Sequence, residues 1–296
     1  MKIRGRAREE FYFYLFVTPW IIGFLAFTAY PVISSIYLSL AQYDGLTAMR
    51  FIGMENYAEL FKDELFYKAI GNTFIYTAAS VPLSILLSLA FAVLLNNVKA
   101  FKNTFRIMLY FPSMVSGATM ALLWSVIFRP SSGLVDYILS FFGLKGPDWL
   151  LNERTALPAI IIMSLWGVGG GMVIFLAALK SVPISYYEAS ILDGAGVFKR
   201  FVNITLPMIS PVVLFQVIMA IIDSFQVFTP AYVMTQGGPH YATWFYVYYL
   251  YRSAFMDSNI GYSSAMGWLL LIFVSVLSFY VIKISRKVVY YEGGKN

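Results

Sequence analysis

Asp223 is the one acid deep inside an apolar stretch of this 296-residue chain, in the run Met219-Ala220-Ile221-Ile222-Asp223-Ser224-Phe225-Gln226-Val227. A charge at the centre of a hydrophobic helix costs roughly 2.5 to 3.5 kcal/mol on insertion scales, so it must face a cavity or a partner. Ser224 and Gln226 beside it can exchange hydrogen bonds with hydroxyl groups, and Phe225 and Trp166 can cover the apolar face of a ring. That chemistry suits a polyhydroxylated solute. A buried pair with another subunit, or a protonated hydrogen-bonded acid, is the competing explanation for Asp223. Other chemistry is sparse. Cysteine is absent and the single histidine, His240, follows the Gly237-Gly238-Pro239 turn, so no disulfide framework or Cys/His metal site can be built. No phosphate-cradling G-x-x-x-x-G-K-[ST] run occurs, and Gly293-Gly294-Lys295 has the wrong spacing. The chain is expected to carry no cofactor or metal of its own and not to be an enzyme; ATP, if it drives the process, is bound by a partner.

The elements that position Asp223 are set by composition and charge. Hydrophobic residues make up 59% and charged residues only 12%, against about 25% charged in a soluble domain. This excludes a water-soluble globule and leaves an all-α integral membrane protein. Crossing about 30 Å of hydrocarbon takes roughly 20 helical residues, and six nearly charge-free runs of that length are present. They place spans at about 11–40, 70–97, 106–128, 155–179, 203–232 and 260–284 within one transmembrane domain, 11–285, flanked by tails at 1–10 and 286–296. The first run is about twice too long for the 7 to 15 apolar residues of a signal peptide, and Pro19 and Pro31 should kink it. With the N-terminus inside, Lys2, Arg4, Arg6, Arg8, Lys99, Lys102, Arg106, Lys180, Lys199, Arg200, Lys283, Arg286, Lys287 and Lys295 all fall on the inner side, 14 of the 21 basic residues. The positive-inside bias therefore predicts that both termini are cytoplasmic. Basic residues distributed along membrane edges give no reason to expect a nucleic-acid partner. The segments 44–68, 143–152 and 236–257 read as outer loops, the first with a short surface helix.

Between the fourth and fifth spans lies Val182-Pro183-Ile184-Ser185-Tyr186-Tyr187-Glu188-Ala189-Ser190-Ile191-Leu192-Asp193-Gly194-Ala195-Gly196. Ser185 and Glu188 have the spacing of a capping box, which predicts a helix starting there, and Gly194 and Gly196 should stop it. Tyr186, Tyr187, Ala189, Ile191 and Leu192 present more apolar surface than an idle loop needs. Pattern alone leaves open an interfacial helix on the bilayer or a helix that docks a protein.

Glu188-Ala189-Ser190, Gly194 and the sequel Ile204, Leu206, Pro207 resemble the E-A-A loop of the membrane subunits of binding-protein-dependent ABC importers, with Ser190 in place of the second alanine. Pro31-Val32-Ile33-Ser34-Ser35, Phe111-Pro112, Met234-Thr235-Gln236-Gly237-Gly238-Pro239, Tyr251-Arg252-Ser253-Ala254-Phe255 and Gly261-Tyr262-Ser263-Ser264-Ala265 extend the likeness over nearly the whole chain. Together they resemble the carbohydrate permeases similar to the larger membrane subunit of maltose-type systems. The resemblance implies a second related permease, two ATPase subunits, an extracytoplasmic solute-binding protein and a sugar substrate, in a bacterial or archaeal cytoplasmic membrane. It assigns ATPase coupling to Tyr186, Tyr187, Glu188, Ala189, Ser190, Asp193, Gly194, Ala195 and Gly196. Alignment through the loop places Ala220, Asp223, Ser224 and Val227 on the sugar path, with Gln226 beside them and Trp166, Gly167 and Gly170 on its fourth-span part. For the glycines of 167–171 close helix packing is the competing explanation. Rivals are an importer of a polyol or glycerol phosphate, and a self-contained secondary transporter. The latter requires inverted repeats, and the chain shows no convincing internal repeat.

Overall fold

The computed structural model of the chain describes residues 2–98, 100–286 and 289. The expected tail beyond Arg286, with Lys287 and Lys295, and the loop residue Lys99 lie outside them, apart from Val289. Fourteen α-helices follow one another: α1 (Lys2–Phe24), α2 (Tyr30–Ser39), α3 (Glu55–Leu60), α4 (Glu64–Asn97), α5 (Lys102–Tyr110), α6 (Gly117–Ile127), α7 (Leu134–Phe141), α8 (Glu153–Leu165), α9 (Gly169–Ser181), α10 (Ile184–Leu192), α11 (Val197–Arg200), α12 (Leu206–Phe225), α13 (Tyr246–Phe255) and α14 (Ile260–Ser285). The only strands among the described residues are β1 (Ala41–Gln42) and β2 (Arg50–Phe51), an antiparallel pair in the register Ala41 to Phe51. This is an all-α membrane protein. Five helical stretches are long and apolar enough to cross a bilayer, Phe11–Ser39, Glu64–Asn97, Glu153–Ser181, Val197–Phe225 and Ile260–Ser285, and a bent pair makes a sixth.

Proline dictates most of the irregularities. In the first span a π-helical turn, Leu25–Ala29, separates α1 from α2, and a second, Phe201–Thr205, separates α11 from α12. Pro31 and Pro207 each lie two residues past such a turn. A proline ring clashes with the carbonyl four residues earlier, here Phe27 and Asn203 inside the two turns, and the wider π turn makes room for it. The kink expected at Pro31 is thus a π turn, whereas Pro19 sits inside continuous α1, which already runs through residues 2–10. The third span differs more from expectation: α5 with the 3₁₀ turn Phe111–Met114 is bent by 99° from α6. Pro112 ends α5, Val115 is extended, and Ser116 caps α6 by accepting a hydrogen bond from the Thr119 amide at 3.3 Å.

The contacts divide the chain into two compact units, 1–63 with 250–271 and 64–249 with 272–296. In the first, Asn56 is buried and donates to the carbonyls of Ser39 (2.9 Å) and Ala41 (3.0 Å), closing the strand pair onto α3. The Tyr262 hydroxyl donates to Asp63 Oδ2 at 2.6 Å, and Gly261 lies so close to the Ala41 carbonyl that a Cβ would fall on it. Asp44 accepts from the Thr47 and Leu46 amides and the Thr47 hydroxyl, which holds its carboxyl below the usual range.

In the second unit α4 packs against α8, α9 and α12. Ala92 and Leu95 of α4, Met172, Phe175, Leu176 and Leu179 of α9 and Ile209 of α12 form its core. The fourth span is interrupted by a 3₁₀ turn, Trp166–Val168, which packs on the Phe111–Met114 turn of the bent third span. The glycine run there splits in two. A Cβ on Gly169 would coincide with the Leu109 carbonyl oxygen, and one on Gly171 would lie 2.8 Å from Ser88 Oγ, whereas Gly167 and Gly170 open onto empty space. Close packing therefore explains Gly169 and Gly171 only.

This division makes a paired prediction. Gly169→Ala should lower the thermal stability of the detergent-solubilised protein by about 1–3 kcal/mol, the usual cost of overpacking. Gly170→Ala should leave it unchanged or raise it, because alanine is the better helix former by roughly 0.5–1 kcal/mol. Equal effects in melting experiments would contradict the packing described.

Candidate functional site

Two places gather the residues singled out by sequence. The first is a cavity of about 410 Å³ lined by Tyr76, Ser80, Val81 and Ser84 of α4, Ser164 of α8, Gly117 of α6, Ala220, Asp223 and Ser224 of α12, and the segment from Gln226 to Pro230. All five expected residues of the fifth span line it: Ala220, Asp223, Ser224, Gln226 and Val227. Asp223 is not at mid-helix, as its apolar context suggested, but in the last turn of α12. The Gln226 amide donates to its carbonyl at 3.1 Å, and Val227 already lies beyond the helix. The helix breaks over 226–228, and helical backbone resumes at Thr229 and Pro230. The carboxylate is exposed to the cavity and makes no ion pair among the described residues.

Three expected path residues are not in this lining. Trp166 instead meets Trp124 edge to face, with ring centroids 5.2 Å apart, and Gly167 and Gly170 accompany it in the fourth-span break. Phe225 is buried against Phe273, so Tyr76 and Phe228 supply the aromatic surface. The hydroxyl wall on α4 was missed by the sequence reading. Its signal was the recurrence of Thr73, Thr77, Ser80, Ser84 and Ser88 at steps of three and four, one face of an otherwise apolar helix. Three hydroxyls of the cavity lining have assigned acceptors: Ser84 donates to Val81 O at 2.9 Å, Ser164 of α8 to Ile161 O at 2.7 Å and Ser224 of α12 to Ile221 O at 2.8 Å. Each oxygen keeps its lone pairs, and with the carboxylate they make the cavity rich in acceptors.

One end of the wall holds the segment after α12. Asn72 donates to the carbonyls of Tyr241 (2.7 Å) and Trp244 (3.3 Å), and Thr73 Oγ1 accepts from the Tyr246 amide (2.9 Å). Gly237, at φ +79°, leaves no room for a Cβ between Trp244 and Tyr248, which explains the second glycine-rich motif. Tyr246 is buried here and its phenol is pushed to higher pKa by desolvation. His240 sits in the turn at φ 44°, strongly exposed, with Nε2 3.9 Å from Glu153 Oε1. The segment read as one outer loop, 236–257, contains the ten-residue helix α13.

The second place is α10. It starts two residues earlier than expected, with Pro183 rather than Ser185 as N-cap and no side-chain cap, so the Ser185–Glu188 capping box does not form: Ser185 is already inside the first turn. Glu188 is exposed and free of side-chain partners among the described residues. The C-terminus follows the Schellman pattern, with Ala195 N–H donating to Ser190 O (2.9 Å) and Gly194 N–H to Ile191 O (3.0 Å), Gly194 standing at φ +73°. Gly196 does not stop α10; it caps α11 in an extended conformation. One side of α10 is anchored, for Ser190 is buried and the Tyr187 hydroxyl lies 2.8 Å from Thr205 Oγ1 in the π turn before α12. The other side is bare, with Ile184 72%, Ile191 55% and Leu192 88% exposed.

A family model described as the inner membrane component of binding-protein-dependent transport systems matches residues 80–289, which span both places. The chain belongs to this family. YesP of Bacillus subtilis, a probable ABC transporter permease, is 38% identical over 98% of this chain and 96% of its own. MalF, the trehalose/maltose transport system permease of Thermococcus litoralis, is 32% identical over 93% of each chain. A bacterial ABC transporter involved in the import of the acidic polysaccharide alginate shares the fold, with a TM-score of 0.85 at 23% identity over 98% of this chain and 100% of that one. Family membership makes the permease an inner-membrane component of such a transport system.

The Schellman turn can be tested locally. A non-glycine residue at positive φ costs roughly 1–2 kcal/mol, so Gly194→Val should speed amide exchange of residues 194 and 195 about five- to thirtyfold. Gly194→Asn, better tolerated in that region, should change it less. Equal exchange in both variants would contradict the geometry.

Proposed function

We propose that this chain is one of two permease subunits of an ATP-driven importer that moves a sugar or oligosaccharide delivered by an extracytoplasmic solute-binding protein. Both termini and α10 lie on the cytoplasmic side, in keeping with the charge bias. The acceptor-rich cavity carries this reading. A carboxylate and a row of hydroxyl lone pairs, flanked by Tyr76 and Phe228, complement a ligand that is rich in O–H donors and has apolar faces. A related permease supplies the other half of the path. Two ATPase subunits bind the ATP, and each exposed α10 face, with Tyr186, Glu188 and Asp193 along it, docks on one of them. The sugar relatives and the neutral composition of the hydroxyl wall favour a sugar over a phosphorylated solute, for no cation lines the cavity to receive a phosphate.

Gentle solubilisation should recover an ATPase and a second six-span chain with this one; a stable, active homo-oligomer would overturn the proposal. Glu188→Lys should leave assembly of the spans intact, because the side chain supports nothing in the fold. It should cut solute-stimulated ATP hydrolysis more than tenfold, since a like charge at a docking surface costs several kcal/mol. Asp223→Asn should alter transport affinity or solute range with complex yield unchanged. Lost yield with unaltered selectivity would assign Asp223 to a pair with the partner permease instead.

A further inference from the structure

Behind α10 lies a second cavity, of about 300 Å³, that the transport path does not use. It is lined by Val93, Asn96 and Asn97 at the end of α4, Leu179, Tyr187, Val197, Arg200, Phe201 and Thr205. Arg200 stands out. Its Nε is buried and has no hydrogen-bond partner, and the guanidinium makes no ion pair among the described residues. A buried donor on a charged group that finds no acceptor is costly, roughly 1–3 kcal/mol or more, so such a group marks a missing acceptor. No acid lines the cavity to provide one. The negative end of α4 is also neutralised, for Lys102 Nζ donates to the Asn96 carbonyl at 3.2 Å. Asn97 spends its amide on the Val93 carbonyl, and the Tyr187 and Thr205 hydroxyls pair with each other, so the Asn96 amide is the second donor on the wall with no partner among the described residues.

The remaining wall is apolar. Val93, Leu179, Val197 and Phe201 line the cavity, and beyond it Val197 and Phe198 are 75% and 80% exposed. A cationic donor beside an apolar strip suits an amphiphilic anion, whose charge pairs with the guanidinium while its chain covers Val197 and Phe201. Basic pockets between spans on the cytoplasmic side are a recognised way of holding acidic headgroups. We propose that Arg200 and Asn96 bind the phosphate of an anionic phospholipid of the inner leaflet, with an acyl chain along Val197 and Phe201. Because Tyr187 and Thr205 share this wall, the lipid braces α10 against the π turn of the fifth span. The inference rests on the cytoplasmic placement proposed above.

Native mass spectrometry of the purified complex, supplied with equal phosphatidylglycerol and phosphatidylcholine, tests it. The wild type should retain phosphatidylglycerol preferentially, and Arg200→Gln should lower that preference about fivefold, as expected for one basic residue at a membrane surface. Lys199→Gln, at the exposed neighbour, should change it far less. An unchanged preference in Arg200→Gln, or equal losses in both variants, overturns the proposal. So does displacement of the lipid by millimolar inorganic phosphate, which would make this a free-phosphate site. Retained lipid preference with loss of the co-purifying ATPase also overturns it, giving Arg200 to a partner carboxylate. If Arg200→Gln fails to assemble, photoactivatable phosphatidylglycerol on the wild type decides, because crosslinks must fall on the cavity wall, within 93–97 or 179–205. Sidedness is read separately. The chain has no cysteine, so Ser185→Cys introduces the sole thiol, and a membrane-impermeant maleimide should label it only in inverted vesicles.

Discussion

No water reaches the hydrocarbon interior of a bilayer, so every backbone N–H and C=O released by a broken helix must find a partner within the protein. This chain breaks its spans repeatedly, at the two π turns, at Phe111–Met114 and at Trp166–Val168. Side chains of α4, which runs without interruption, hold one of these breaks and the segment after α12. Ser88 of α4 donates to the Val168 carbonyl at 3.0 Å in the fourth-span break, and Asn72 and Thr73 hold the segment 241–246. Between these two supports the same helix face offers Tyr76, Ser80 and Ser84 to the cavity. The polar row is thus both the means of keeping irregular backbone inside a membrane and the source of the ligand-facing wall.

A mechanical route joins the two places. Tyr187 ties α10 to Thr205, Thr205 closes the π turn that leads into α12, and the far end of α12 carries Asp223. The twenty-residue α12, with Pro211 inside it, is the continuous element between them. The Schellman turn at Gly194 makes the other side of the loop equally definite by fixing where α10 ends.

Sequence resolved what depends on composition and local charge. Six apolar runs, the surface helix after Asp44, the helix at Ile184–Leu192 and the turn at Gly194 all follow from runs and punctuation that one strand of text displays. It failed where distant backbone decides. That Gly169 is packed while Gly170 is free depends on Leu109, and the end of α12 at Phe225 was masked by apolar residues continuing to Val233. Ser185 and Glu188 matched a capping box, yet Pro183, pre-set for a helix start, took the cap position. The hydroxyls of α4 were visible but scored as ordinary small residues in a hydrophobic span, because their acceptors lie up to 80 residues away.

The row on α4 also bears on how such a transporter can change over time. Thr73 and Ser88 each satisfy a backbone group elsewhere, so mutation there leaves an amide or carbonyl of the buried residues Tyr246 or Val168 without that partner, at a cost to the fold. Ser80 and Ser84, on the same face, hold no distant backbone group in the hydrogen bonds described. On the proposed function, selection for a new solute can therefore act at positions 80, 84, 223 and 227 while the neighbouring rungs stay fixed, and a duplicated copy could drift in preference without first becoming unstable.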